Sequence, residues 1–253
     1  MSSTNGSLYT QIVHGIATVE FGHPASNSFP SVLLERLTQE LNKLSKNDEV
    51  SVIVLQSEGD RAFCAGASFD ELVAISNLEE GKTFFSGFAN VINAMRTCSK
   101  LIIGRVQGKA VGGGVGLAAA CDYVFATEYA SVRLSEFTIG IGPFVIAPAV
   151  ERKIGVSGLA ELTLAATDWK NAYWAKEKGL YAEVFSHVED MDNEIAAFSN
   201  KLASYNPEAL ALMKKVLWQH TDHWNELLLE RAELSGKLVL SDFTKKALAK
   251  FQK

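Results

Sequence analysis

Hydrophobic and polar positions in the first two thirds of the chain follow two alternating patterns. Short apolar and β-branched runs typical of buried strands alternate with three- and four-residue spacings typical of helices. Strands are predicted at residues 14–21, 50–57, 101–106, 122–127 and 130–136. Helices are predicted at residues 28–48, 79–99 and 113–121. This alternation predicts an α/β fold whose parallel strands are joined by helical crossovers.

The strand pattern nearly stops near residue 144, and mainly helical segments follow. We therefore predict an α/β core over residues 1–190 and a helical C-terminal region, a trimerisation or lid region, over residues 191–253. That region carries many apolar residues, including Trp218, Trp224 and residues 227–229. Two interpretations have equal weight: these side chains pack back on the core, or some of them cover a subunit interface.

Composition narrows the class of protein. The 253 residues are 47% hydrophobic and 21% charged, which suits a chain with a sizeable core. The net charge of −5 argues against a nucleic-acid partner. Three cysteines without a CxxC spacing argue against a disulfide framework. No apolar run is long enough for a membrane span, and the N-terminus lacks the pattern of a signal peptide, so we expect a cytoplasmic protein without a membrane partner.

The glycine-rich stretch "GKAVGGGVGLAAACD" at residues 108–122 holds four glycines within five positions and precedes an apolar helix. The unpaired N–H groups of a helix that begins near Gly113 favour a phosphate or an oxygen that becomes negative during a reaction. The phosphate-loop pattern GxxxxGK[ST] is absent. "GVGLAA" at 114–119 matches a dinucleotide pattern but lies inside the helix, which disfavours a nicotinamide cofactor. Close packing of a buried helix explains the alanines but not the clustered glycines.

A second loop of small residues, "RAFCAGASFDEL" at 61–72, follows the strand at 50–57. Ser68 is predicted to cap the helix after it, as Ser28 is for the earlier helix. Loops at the ends of neighbouring parallel strands face one crevice. Two N–H groups that converge there on one oxygen form an oxyanion hole.

Glu136 is the candidate acid or base, at the end of the apolar strand "ASVRLSE". A carboxyl in such surroundings has a raised pKa, which suits proton transfer near neutrality. An ordinary surface glutamate at a strand end is an equally good interpretation. His220, His223 and Glu226 lie at three-residue intervals, but the HExxH pattern is absent, so a solvated helix face is favoured and no metal is expected. Small-residue packing is the favoured interpretation of Cys64 and Cys121.

These motifs resemble the crotonase superfamily, the enoyl-CoA hydratases and isomerases, over residues 8–190 clearly and over the tail loosely. "AFCAGASFDEL" and "VQGKAVGGGVGLAAACDYVFAT" carry the resemblance, with "LSEFTIGI" following in the family's order. The resemblance implies a spiral of ββα units with a helical C-terminal region and a homotrimer that can pair into a hexamer. It implies a coenzyme A thioester as substrate and no separate cofactor.

The resemblance also assigns roles to residues. Ala67 and Gly113 would donate the oxyanion-hole N–H groups, and Glu136 would be the acid or base. Lysines of the tail would meet the coenzyme's phosphates. The residues that it places around the substrate are Ala25, Ser26, Ala65, Gly66, Ser68, Phe69, Val111, Gly112 and Gly116.

The best-known hydratases of the family use a second glutamate, which falls on Gly116 here. With one carboxylate, a proton can still leave one carbon and return to another, which is the isomerase reaction. "GIGPFVIAPAV" resembles a loop of some isomerases, whereas "GGGVGL" resembles some hydratases of branched-chain or glutaconyl-CoA, which gives a slight preference for hydration. The reaction would belong to fatty-acid or branched-chain acyl-CoA catabolism. A catalytically silent acyl-CoA binding protein is the alternative from another class.

Overall fold

Two sheets form the α/β part of the molecule in this computed structural model, which describes residues 5–250. The larger sheet has six strands in the order β1-β2-β3-β5-β7-β9, and only the β1–β2 pair is antiparallel. The smaller sheet is parallel, in the order β4-β6-β8. The strands are β1 (Ser7–Val13), β2 (Ile16–Gly22), β3 (Val52–Ser57), β4 (Ala62–Cys64), β5 (Leu101–Val106), β6 (Lys109–Val111), β7 (Tyr123–Thr127), β8 (Val132–Arg133) and β9 (Glu183–Phe185).

After the β1–β2 pair, the chain repeatedly places one longer strand in the larger sheet and the next, short strand in the smaller sheet. The pairs β3–β4, β5–β6 and β7–β8 all follow this rule. Helices connect the repeats, as the predicted spiral of ββα units requires. The helices are α1 (Ser31–Ser45), α2 (Phe69–Ala74), α3 (Leu78–Thr97), α4 (Gly113–Ala120), α5 (Ala147–Leu164), α6 (Ala172–Glu177), α7 (Val188–Ala203), α8 (Pro207–Leu217), α9 (Trp224–Val239) and α10 (Asp242–Leu248).

The five predicted strands are all present, but the apolar pattern missed four others. β1, β4, β6 and β9 were not predicted, because three of them have only three residues and β1 is an edge strand with exposed positions. The strand predicted at 130–136 is wrong in its length. It is confined to Val132–Arg133, and Glu136 begins a short 3-10 helix, Glu136–Ile139.

The first helix begins later than its sequence pattern indicated. The prediction that Ser28 caps α1 is wrong: the helix is preceded by Pro30, and no side-chain cap bond is present. Phe29 instead forms a parallel bridge with Ala67, which keeps this segment extended. The carboxylate of Glu71 accepts the Ser31 N–H at 3.0 Å and so satisfies one free donor of α1.

The C-terminal helices pack back on the α/β part. Trp218 and Trp224 are buried in the main core. For these two residues, the interpretation that they pack back on the core is therefore correct. α9 and α3 approach each other closely where two glycines face each other. A Cβ on Gly81 would lie only 2.9 Å from the Cα of Gly236. The boundary predicted at residue 190 falls in the first turn of α7. Within residues 5–250, no helix is both long and apolar enough to cross a membrane.

Candidate active site

The two glycine-containing loops meet at the ends of β4 and β6, which are paired in parallel. A Cβ on Gly66 would lie 3.1 Å from the carbonyl oxygen of Val111 and 3.6 Å from the nitrogen of Gly113. The φ angles of Gly66 and Gly112 are +92° and +53°, a region that L side chains rarely adopt. The crevice is therefore formed as predicted, although the loops follow the short strands rather than β3 and β5.

Two backbone N–H groups in this crevice, those of Ala67 and Gly113, have no backbone partner in the described part of the chain. The bridge between Phe29 and Ala67 uses the Gly66 carbonyl and the Ser68 N–H, at 2.8 and 2.9 Å. The N–H of Ala67 lies between them and points away from Phe29, because successive groups of an extended chain alternate. Gly113 is the first residue of α4, whose N–H has no acceptor within the helix.

Glu136 lies against the turn at Gly112. Its Oε1 is 2.9 Å from the point that a Cβ on Gly112 would occupy. The strand pairing explains this position, because the Gly112 N–H donates to the carbonyl of Arg133 at 3.0 Å, three residues before Glu136. The 3-10 helix ends at Ile139 and is followed by its C-cap Gly140, whose carbonyl accepts the Thr244 hydroxyl of α10 at 3.1 Å. The tail thus helps to fix the loop of this glutamate.

The carboxyl of Glu136 has an unusual environment. Its Oε2 is buried and has no hydrogen-bond partner in the described structure. Burial disfavours the ionised form and raises the pKa of Glu136 to about 7, although its own backbone N–H opposes the shift. A pKa near neutrality lets one group both accept and donate a proton. The raised pKa agrees with the environment predicted for this carboxyl, and its buried Oε2 disfavours an ordinary surface glutamate.

The glutamate and both N–H donors line one cavity of about 340 Å³. Its wall is otherwise mostly apolar. Glu136 and Arg133 are the only acidic or basic residues among the described residues that line it. Aromatic rings of α2 and α3 form one side, and the 141–146 segment forms another. The lining includes Phe69, Leu72, Phe84, Phe85, Phe88, Ile139, Ile141, Pro143, Phe144, Val145 and Ile146.

Most of the predicted site residues come together here, but four do not line this cavity. Those that do are Ala65, Gly66, Ala67, Phe69, Val111, Gly112, Gly113 and Glu136. Ser68 caps α2 as predicted, with its Oγ accepting the Glu71 N–H at 3.3 Å. The Ser26 carbonyl accepts the Ala65 N–H at 3.1 Å, and Ser26 itself lines a separate surface pocket with Lys109. Ala25 lies next to it in the chain.

Gly116 is buried within α4 and does not line the cavity. A Cβ at this position would overlap the Cγ2 methyl of Ile146 and lie 2.8 Å from its Cβ. Ile146 itself lines the cavity, so an aliphatic side chain occupies the space toward which a residue at 116 would extend. The family resemblance places a second carboxylate at Gly116, and the sequence did not indicate that Ile146 occupies this space.

The sequence missed several other cavity residues. Phe84 and Phe88 share a face of α3, and the Phe88 ring lies where a Cβ on Gly113 would be. Their four-residue spacing was the only signal for them. Arg133 lies within the segment 130–136, which was predicted only as a strand, and no local motif singled it out. Cys64 and Cys121 are fully buried, and burial raises the pKa of each thiol to about 12, which agrees with a packing role.

Comparisons with known proteins identify the class that this fold and site define. The family model described as enoyl-CoA hydratase/isomerase matches residues 11–252. This chain belongs to the enoyl-CoA hydratase/isomerase family, as its motifs indicated, and a mixed α/β fold with helical C-terminal region is confirmed.

Individual relatives agree with this assignment. A probable enoyl-CoA hydratase of Bacillus subtilis is 26% identical, with 93% of this chain and 92% of the relative aligned. A peroxisomal Δ(3,5)-Δ(2,4)-dienoyl-CoA isomerase of Arabidopsis thaliana is 28% identical over 70% of this chain and 67% of its own. The crystal structure of an enoyl-CoA hydratase from Bacillus halodurans has the same fold, with a TM-score of 0.89 at 19% identity over 96% of this chain and 99% of that one.

Proposed function

We propose that this chain isomerises an enoyl-CoA, with Glu136 as its one proton carrier and with the N–H groups of Ala67 and Gly113 as its oxyanion hole. The observation that carries the proposal is the cavity lining. It holds one carboxyl, and the position of a second one at Gly116 is closed by Ile146. One carboxyl is sufficient to move a proton between two carbons.

The step begins with the thioester carbonyl oxygen of a 3-enoyl-CoA bound by the two N–H groups. The Glu136 carboxylate takes a proton from the carbon next to the carbonyl, and the electron pair moves onto the thioester oxygen as a dienolate. The protonated Glu136 then gives the proton to the far carbon of the former double bond, and the product is a 2-enoyl-CoA. Two backbone donors stabilise the negative oxygen, and loss of one such donor costs about 10²–10³ in rate in other enzymes.

Hydration is the second candidate, and the curated relative named as a probable hydratase favours it. Addition of water requires one group to activate the water and a proton for carbon. Glu136 would have to do both in turn, because the rest of the cavity lining offers only hydroxyls and Arg133. A silent acyl-CoA binding protein stays a third possibility, and a pKa of about 7 at Glu136 argues against it.

Chromatographic separation of the products formed in D₂O, followed by measurement of their mass, tests the proposal. The protein is incubated with a 3-enoyl-CoA, with crotonyl-CoA and with 3-methylglutaconyl-CoA. We expect a 2-enoyl-CoA of unchanged composition apart from deuterium. A product heavier by one water from crotonyl-CoA, with no migration of the double bond, would replace isomerisation by hydration.

The Glu136→Gln variant is the matched control, since it keeps the shape of the side chain but its amide neither takes up nor releases a proton near neutral pH. We expect turnover to fall by at least about 10³ while binding of a saturated acyl-CoA is retained. Binding by both forms with no turnover of any substrate would favour the silent binder.

The assembly, the cellular location and the pathway are parts of the same proposal. We propose a homotrimer, alone or paired into a hexamer, in the cytoplasm, acting in fatty-acid or branched-chain acyl-CoA catabolism. Support for assembly comes from exposed apolar side chains on α8, among them Leu212, Met213 and Val216. Light scattering of the purified chain measures the subunit number directly.

A further inference from the structure

A second charged side chain lies in the same cavity as Glu136. Arg133 is the last residue of β8, where it is paired with Val111 of β6. The preceding residue, Val132, is fully buried in the core. Because neighbours on a strand point to opposite faces, the Arg133 side chain leaves the core and reaches the cavity, whose lining it joins.

The guanidinium of Arg133 has no anionic partner within residues 5–250. Its Nε is buried and makes no hydrogen bond. The group lies over the Trp169 ring, 4.5 Å from the centroid, an arrangement that holds a cation but leaves the N–H donors in the guanidinium plane available. A buried donor without a partner is rare and calls for an explanation such as a bound ligand.

Glu136 does not supply that partner. No ion pair between Arg133 and Glu136 is formed, and the Oε2 of Glu136 is itself without a hydrogen bond. The cavity thus holds a carboxyl that is free to carry a proton and, separately, a cation that is free to bind an anion. An apolar wall around both strengthens any ion pair formed there relative to one in water.

We infer that Arg133 binds a carboxylate on the acyl part of the substrate, so that the chain prefers dicarboxylic acyl-CoA esters to those with a methyl end. The planar fork of donors in arginine matches a carboxylate in two parallel hydrogen bonds. This inference rests on the proposed function, because it takes the thioester to lie at Ala67 and Gly113.

The other anions of such a substrate are the coenzyme's phosphates, and the position of Arg133 disfavours them. Its carbonyl accepts the Gly112 N–H, so its backbone lies one hydrogen bond from the loop that contains Gly113. The phosphates are separated from the thioester by the whole pantetheine arm, whereas an acyl carboxylate is only a few bonds away. The exposed Lys109, whose Nζ lies 5.0 Å from the centroid of Trp169, is better placed to meet a hydrated phosphate.

Calorimetric binding of unreactive saturated esters tests the inference independently of turnover. Glutaryl-CoA and adipyl-CoA are compared with pentanoyl-CoA and hexanoyl-CoA, which have the same chain lengths and methyl ends, and with free coenzyme A. We expect the wild-type chain to bind at least one dicarboxylic ester about 10- to 100-fold more tightly than its methyl-ended match. Arg133→Met should abolish this ratio and leave the affinity for methyl-ended esters unchanged.

Lys109→Met is the control, because it removes the other cation on the same indole and should leave the ratio unchanged. A wild-type chain that binds both kinds of ester equally would overturn the inference. So would an Arg133→Met variant that binds free coenzyme A and all esters equally weakly, since Arg133 would then serve the coenzyme or the fold. Failure of the wild-type chain to bind any coenzyme A ester would overturn the proposed function as well.

Discussion

The side chain of Ile146 occupies the space into which a side chain on Gly116 would extend. Its Cβ lies 2.8 Å from the position that a Cβ on Gly116 would take, and its Cγ2 methyl lies closer still. The glycine on α4 and the isoleucine before α5 therefore fit each other. Among the described residues that line the cavity, Glu136 is the only carboxyl, and the packing of Ile146 leaves no space for an acidic side chain at position 116.

The Gly116→Ala substitution is expected to destabilise the protein, although alanine favours a helix over glycine. Overpacking of a tight core costs about 1–3 kcal/mol, and because the added Cβ would overlap two atoms of Ile146, we expect a cost in the upper part of this range, above the gain in helix propensity of about 1 kcal/mol. Adding Ile146→Ala should remove the overlap, so the double variant should be more stable than the sum of the two single changes predicts. Urea unfolding of the four proteins measures this coupling. Strict additivity would mean that the two residues do not compete for one space.

The rate of the Glu136-dependent reaction is expected to depend on pH through the ionisation of this one group. Proton removal from the substrate requires the carboxylate, and the pKa of Glu136 is about 7. The value of kcat/KM should therefore rise about tenfold per pH unit below about pH 7 and level off above it. Binding of a saturated acyl-CoA is measured over the same range as the control. A kcat/KM that is flat from about pH 5.5 to 8.5 would exclude Glu136 as the base.

Burial of the Glu136 carboxyl should also reduce the stability of the folded state. Between the unfolded pKa of about 4.5 and the folded pKa of about 7, the native state holds a proton that the unfolded chain has released. The free energy of unfolding therefore falls as pH rises through this window and stays lowered above it. Glu136→Gln should remove the effect and be more stable than wild type by about 2–3 kcal/mol at pH 8, with little difference near pH 4.5.

Urea unfolding at fixed protein concentration gives both values, and the exposed Glu230 of α9 supplies the control substitution Glu230→Gln. If the Glu136→Gln variant were less stable than wild type at both pH values, burial would not be the main influence on the pKa of this carboxyl.

The close approach of Gly66 to Val111 and Gly113 predicts a selective loss of activity in the Gly66→Ala variant. The added methyl would stand 3.1 Å from the Val111 carbonyl and 3.6 Å from the Gly113 nitrogen, where the thioester oxygen is expected. We expect kcat/KM to fall by about 10² or more. Gly59→Ala is the matched control, because Gly59 also has a positive φ of +75° but a Cβ there meets nothing within 4 Å. Similar kcat/KM losses in both variants would point to backbone strain rather than to the oxyanion hole.

Part of this site could be predicted from local sequence. Glu136, Ala67 and Gly113 are found by pattern and family resemblance, because backbone donors and a strand-end carboxyl leave short motifs. Ile146 and Arg133 could not be found in this way. Their roles depend on contacts between segments distant in the chain, Ile146 with Gly116 and Arg133 with Trp169. The short strands β4 and β6 were missed for a different reason, since three residues have too little periodicity to reveal a strand.

A buried ion pair between Lys214 of α8 and Asp122 before β7 joins the helical tail to the α/β part. Their atoms Nζ and Oδ2 are 2.6 Å apart, and both side chains are almost fully buried. Asp122 also accepts the indole N–H of Trp218 at 2.7 Å and the Ile102 N–H at 2.7 Å. The aspartate thus joins β5 and α8 through one carboxylate.

Lys214→Met should therefore destabilise the protein by about 3–5 kcal/mol, because it leaves a buried carboxylate without its cation. Adding Asp122→Asn should recover part of the loss, since the neutral amide still accepts a hydrogen bond and carries no charge. Lys237→Met is the control: its pair with Glu233 has the same 2.6 Å separation but is exposed, so about 1 kcal/mol or less is expected. Thermal unfolding that ranks the two lysine variants equally would show that burial of the Lys214 pair does not determine how firmly the tail is held.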